Sequence, residues 1–551
     1  MKKIFTLFAV TIFLGATFSA NAATRIDLSG PDIGVRITEN QELLTDSPNL
    51  IAQTQTKDGE RLYLCKTLDD AICSAASDIR ATSFLPPCTA EIAMNCIVNV
   101  YAVGPNGEKV QGIFQRYVAE GSAREFAANP RYNLPQGIGQ GAIWTMPGLK
   151  NGAGNEDYYV GARFDLWAHV PSQKELLNFQ PGRMITGIFP VSTKLGGFGM
   201  TVPLDSNHPS NDGSPNGGVG SQNTSSDQSW INCVVTETGK CYMAENFPAD
   251  YRFGLTLRLG ASVKGWFHGR IYQPVINVKS LGSSGAEEIT IEALPVIVPT
   301  LQEKVPTSIV TPELRQYLTT TQVSNGFGYV MPESSGPDSF MHAKMWLPLV
   351  KDKATTSLTY WSVRTLTELN DPIIQKCTNT DGALSGVVTT NSLVYNAGPP
   401  DFDNATQNLN YKVLSTHFNA DGTVAKGTYD LILSSSVARC IYGFTKAPIQ
   451  ASLSIISEDG SPQVATQTIQ EKDGWLSLSA AGFSYSSPTI AVKLSQAAPA
   501  PAPSPTATPT ETAKAPSWAQ GSKSITCMKG KVKKSVTGFN PKCPKGFKKV
   551  A

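Results

Sequence analysis

Along this chain, apolar and polar positions alternate in short runs instead of recurring every three or four residues. Period-two or β-branched runs fall at 61–64, 97–103, 158–167, 251–259, 275–278, 288–298, 358–363, 451–456 and 489–494, bounded by clusters of Gly, Pro, Asn or Asp. A period of two sends successive side chains to opposite sides of an extended backbone, so these runs predict antiparallel strands in sandwiches or open barrels. In 158–167 the alternation assigns Tyr158, Val160, Ala162, Phe164 and Leu166 to a core face, and Tyr159, Gly161, Arg163 and Asp165 to the other. Helices are few: 122–128 with a serine cap, 172–179 after Pro171, and 311–318, where Thr311 caps and Pro312 takes the first helical position. The expected class is all-β: two or three disulfide-stapled antiparallel β-sandwich-like domains, few short helices, and a small basic C-terminal hairpin module.

The ends of the chain have a different texture. Lys2 and Lys3, the apolar run 4–16 and the small-x-small triplet Ala20-Asn21-Ala22 read as a signal peptide over residues 1–22. No later stretch is apolar for long enough to predict a transmembrane helix. Turn-rich, Pro-flanked segments suggest a Cys-rich domain at 23–129, a second domain at 130–299 and a third at 300–496. Residues 497–516, rich in Pro, Ala and Thr, read as an extended linker, and 517–551 as a separate module. Residues 257–275 align without gaps on 431–449, matching Leu257/Leu431, Leu259/Leu433, Ser262/Ser436, Val263/Val437, Gly269/Gly443 and Pro274/Pro448. That makes the third domain a candidate divergent copy of the second. Residues 203–229, almost wholly small and polar, form either a functional loop or a disordered insertion.

Ten cysteines, an even number, suit an oxidising compartment. Cys65/Cys73, Cys88/Cys96 and Cys233/Cys241 each enclose seven residues, a gap that suits two strands across a tight turn. Cys377 with Cys440 and Cys527 with Cys543 complete the set, while the first four leave three connectivities open. No C-x-x-C occurs and no cysteine stands at zinc spacing from a histidine, so no metal and no cofactor is expected.

Charge is strongly segregated. Of 46 basic side chains, two lie in residues 1–22 and nine lysines lie in 517–551; all 44 acids lie between, so 23–516 carries about −9 and the tail +9. The whole chain is only +2, which argues against a nucleic-acid binder. The strings Ile525-Thr526-Cys527-Met528-Lys529-Gly530-Lys531, Val536-Thr537-Gly538 and Pro541-Lys542-Cys543-Pro544-Lys545-Gly546-Phe547-Lys548-Lys549 resemble a short Lys-rich, two-cysteine module. Such modules end many secreted actinobacterial proteins, often after a Pro/Thr/Ala-rich linker. The resemblance covers the last ~30 residues and implies an exported bacterial protein, secreted or held at the cell wall of a Gram-positive envelope. Physically, Lys529, Lys531, Lys533, Lys534, Lys542, Lys545, Lys548 and Lys549 are candidates for binding an anionic envelope polymer or lipid headgroups. The bland alternative is that they keep a small module soluble.

Catalytic patterns are not legible. The five histidines lie far apart, no G-x-S-x-G is present, and Asp401-Phe402-Asp403-Asn404 lacks the glycine and glutamate of an EF-hand loop. Trp266, His268 and Arg270 are candidate contacts for a glycan ring if exposed, and simply core if buried. The favoured reading is a non-enzymatic surface protein of binding, adhesion or structural type, with no catalytic residue named. The alternative is a secreted hydrolase of polysaccharide or ester bonds, built on a carboxylate pair that sequence does not locate.

Overall fold

The computed structural model describes residues 30–39, 42–45, 47–56, 59–76, 78–120, 124–169, 179–196, 198–200, 221–223, 233–237, 239–282, 285–320, 325–326, 329–330, 334–335, 338–366, 371–378, 384–458, 460–463, 466–485, 488–496, 523–538 and 540–550. The expected signal peptide, the linker 497–516 and the 172–179 helix, Phe179 apart, lie outside them, as does the 203–229 loop apart from Ser221–Asn223, which pairs with Phe198–Met200. The chain divides into two compact units, Met1–Ala497 and Ala498–Ala551.

The larger unit is all-β, with short helices and strands that are mostly antiparallel. Two long strands organise it. Glu287–Pro306 pairs along its first half with Arg252–Leu259 and Gly265–Ser280, then with Thr356–Tyr360, and at its far end with Asp32–Ile37. Gly265–Ser280 pairs near its start with Ser362–Leu366 and, in parallel, with Leu384–Thr390. Cys96–Val103 also pairs with Arg252–Leu259. Sheet hydrogen bonds therefore run across both residues 129/130 and residues 299/300, where domain breaks were expected.

The two largest hydrophobic cores are sandwich-like. One joins Leu50, Val160, Phe164, Phe253, Leu257 and Ile291. The other joins Tyr411, Tyr429, Leu431, Leu478 and Val492, drawn from facing sheets. Fully burying one such aliphatic side chain stabilises by about 1.5–3 kcal/mol, so strands alternating into these cores hold their register. Along Asp157–His169 the expected core face is buried. The opposite face is covered too: Tyr159 is fully buried, its hydroxyl 2.7 Å from the carbonyls of both Leu43 and Gln140.

Several expectations need correction. At 124–128, within the expected 122–128 helix, the chain is not helical; Phe126 bridges Gly137 and Asn129 bridges Leu134. The single strand at 358–363 is two, Thr356–Tyr360 and Ser362–Leu366, which part at buried Trp361 and join different partners. The aligned blocks 257–275 and 431–449 fold differently. After Arg252–Leu259 the chain enters another strand, Gly265–Ser280, whereas after Gly427–Ser434 it enters the helix Ser435–Tyr442, closed by Gly443 at φ 65°. Buried Val437, Ala438 and Ile441 are spaced for one helix face, so the match in bulk did not carry a match in period. The helix at 311–318 is present as Pro312–Thr320.

Five disulfides form, the first four cysteines pairing locally as Cys65–Cys73 and Cys88–Cys96, and none of the described cysteines is free. Only Cys233–Cys241 spans a hairpin, Cys233–Glu237 with Lys240–Ala244. Cys73 instead lies in a helical turn, Ala71–Ser74; the turn before it is held by the Asp70 carboxylate, which accepts the backbone N–H groups of Lys66 (2.5 Å) and Thr67 (3.2 Å). Cys88 lies outside any strand and donates its N–H to Ile97 (2.9 Å).

The smaller unit is a three-stranded antiparallel sheet with Lys523–Lys529 in the middle, flanked by Val532–Gly538 and Lys548–Val550. The expected hairpin thus gains a third strand.

Candidate functional site

Trp266, His268 and Arg270 share one face of Gly265–Ser280, but this stretch has a neighbour on each edge and packing on each side. Their exposures are 0%, 1% and 1%, so none is available to a sugar ring and the candidate glycan contact is withdrawn. The Trp266 indole N–H donates to Thr378 Oγ1 (3.1 Å). Arg270 forms a closed ion pair with Glu39, donating from Nε (2.8 Å) and Nη2 (2.6 Å) to the same carboxylate oxygen. Its Nη1 donates to the carbonyls of Thr390 (2.9 Å) and Ser392 (2.7 Å). The other Glu39 oxygen accepts from the Tyr395 hydroxyl (3.0 Å), and Arg364 Nη2 lies 4.0 Å away. The Tyr395 ring stacks on His268, with centroids 3.9 Å apart and planes 4° from parallel, and lies 4.4 Å from the Arg270 guanidinium carbon.

Burial alone would raise the Glu39 carboxyl. The charges of Arg270 and Arg364 and the hydrogen bonds from Arg270 and Tyr395 outweigh it and hold the group below its ordinary range. For His268, burial comes first and the two arginine charges add to it, keeping the imidazole neutral and well below its usual range. Nothing in this cluster faces solvent broadly enough to meet a substrate. It clamps the N-terminal strand region to the central sheet. Glu39, Arg364 and Tyr395 were absent from the sequence reading, because these partners stand up to 356 residues apart along the chain.

A hydrolase would need two free carboxylates. Asp371 and Asp401 are one close pair: burial, then the Asp371 charge, raises the Asp401 carboxyl. Asp371 is already engaged. Its Oδ1 accepts the N–H groups of Ile373 (2.8 Å) and Ile374 (3.0 Å) at the start of Pro372–Thr378, and its Oδ2 accepts that of Phe402 (2.9 Å). The Asp401-Phe402-Asp403-Asn404 stretch is a short strand and turn, with Asp403 accepting the N–H of Ala405 (2.9 Å). Among the described residues, no group of three or more His, Cys, Asp or Glu is placed to hold a metal ion, and no helix is long and apolar enough to cross a membrane.

The C-terminal sheet is where accessible charge collects. Cys527 is fully buried and bonded to Cys543, so the segment after Val532–Gly538 folds over the Cys527 side. Lys529, Lys531, Lys533, Lys534, Lys542, Lys545, Lys548 and Lys549 are all exposed. Directly opposed residues share a face. Lys534 and Lys549 therefore flank Cys527 on one side, and Lys533 and Lys548 flank Met528 on the other.

No family model, curated protein or solved structure matches the chain. The functional reading therefore rests on the physics of these residues.

Proposed function

We propose that this is an exported, non-enzymatic protein of binding or structural type, its β body held at an anionic cell envelope by the C-terminal module. One observation carries the reading: eight exposed lysines on a disulfide-closed module, in a segment, 517–551, that contains no acid. Near an anionic surface each lysine contributes about 1 kcal/mol, so a handful suffices for attachment, and the attachment is salt-sensitive. The body supports the passive part of the reading, since its buried ion-pair cluster is closed to substrate and Asp371 is held by backbone amides.

The test is sedimentation with purified teichoic-acid-bearing cell walls, comparing the full chain with one ending at Ala497, which keeps the larger unit whole. The expected result is that only the full chain sediments and that raising salt from about 0.05 to 0.5 M releases it. Equal sedimentation of both versions, or of neither, would overturn the proposal.

A further inference from the structure

The geometry points to a flexible linear polyanion of the polyphosphate class, held around both sides of the C-terminal sheet, as the module's partner. This deepens the envelope-binding reading and rests on it.

The strand register places charge on both sides of the sheet. Lys534 and Lys549 lie on the Cys527 side, together with Lys529 two residues along; Lys533 and Lys548 lie on the Met528 side. Lys531 stands in the turn between strands, and Lys542 and Lys545 in the segment that crosses the disulfide. A flat bilayer meets one side of such a module at a time. Membrane-surface elements also set an apolar face against a charged one. Among the described residues of the module, the two exposed large apolar ones, Met528 and Val532, point to opposite sides, because Val532 opposes Lys529. Among the described residues the charge belt has no apolar side to seat in lipid.

Within each pair, the lysines are separated by two strand spacings, about 9.6 Å between backbones. That is close to the screening length of about 10 Å at 0.1 M salt, so they repel one another in the free module. A chain of closely spaced phosphates that passes over both sides relieves this repulsion at every pair. The segment 517–551 carries lysines and no arginine. Lysine acts as a point charge without a fork that reads ligand shape, which suits binding to charge density along a polymer.

The test uses the full chain with two probes: long-chain inorganic polyphosphate, and vesicles of phosphatidylglycerol and phosphatidylcholine in equal amounts. Two variants divide the charge by side, Lys533→Gln/Lys548→Gln and Lys534→Gln/Lys549→Gln. Each should weaken polyphosphate binding by about thirtyfold, two lysines at about 1 kcal/mol apiece. Each should also flatten the slope of log affinity against log salt by about 1.4. Loss from one pair with no effect of the other would overturn two-sided binding. Binding to vesicles but not to polyphosphate would overturn the polymer while leaving envelope attachment standing. Binding to neither by the unmodified chain would overturn both.

Discussion

Replacing Arg270 with methionine should damage the body far more than its conserved volume suggests. The substitution removes two hydrogen bonds to Glu39, at 2.8 and 2.6 Å, and abandons the carbonyls of Thr390 and Ser392. Glu39, with a side chain only 6% exposed, would keep the Tyr395 hydroxyl at 3.0 Å and Arg364 at 4.0 Å. Removing one partner of a buried pair costs about 3–5 kcal/mol, because the other charge stays desolvated. The assay is denaturant unfolding followed by the fluorescence of buried Trp266, Trp346 and Trp361, comparing midpoints, since a chain with two units need not unfold in one step. The double variant Glu39→Leu/Arg270→Met should recover most of the loss, the charge having left with its partner. The pH dependence has a defined sign. The folded Glu39 carboxyl lies below its ordinary value of 4.5, so its stabilisation is present above that pH and is lost as pH falls through the lower folded value. The gap between the protein and Arg270→Met should therefore narrow in that acid range. A single variant with an unchanged midpoint, or a double variant worse than the single, would refute the argument.

Two further outcomes follow from buried groups. Cys377–Cys440 ties the helix Pro372–Thr378 to Ser435–Tyr442 across 63 residues, and closing a loop of that length stabilises by about 4 kcal/mol; Cys377→Ala/Cys440→Ser should lower the thermal midpoint under oxidising conditions and lose its difference from the protein once both are reduced. Asp430, 1% exposed, accepts from the Gln273 N–H (2.8 Å) and Thr389 Oγ1 (2.9 Å), and burial, the largest influence, raises its carboxyl above 3.8. That contribution is present below 3.8 and is lost as pH rises through the folded value, so Asp430→Asn should be neutral in acid and as stable as the protein or more so at neutral pH, as read from unfolding midpoints.

Much of the fold was legible where neighbours in sequence decide it. Period-two runs located Arg252–Leu259, Ile449–Ile456 and Thr489–Gln496 to within two residues, and Pro312 marked the start of its helix. The helix Ser435–Tyr442 was also signalled, with Ser434 before it and Gly443 after it, but matching it to a strand block hid the i, i+1, i+4 burial of Val437, Ala438 and Ile441. The ion-pair cluster was not legible. An arginine on an alternating strand reads as exposed unless its acidic partner is in view, and Glu39 enters from 231 residues away. The bulge that frees the Gln273 N–H for Asp430 had a local sign in Pro274, which has no N–H to give a ladder; what it would meet depended on a strand beginning at Gly427.

Every disulfide joins cysteines that are consecutive in the chain: 65 with 73, 88 with 96, 233 with 241, 377 with 440 and 527 with 543. A polypeptide delivered amino end first into an oxidising space would then present the second thiol of each pair with a single unpaired predecessor. Pairing becomes a matter of order of arrival, and mispaired forms requiring reshuffling have little opportunity to arise. A strand whose partner comes far later in the chain, such as Asp32–Ile37 with Glu287–Pro306, can assemble afterwards, around bridges already closed.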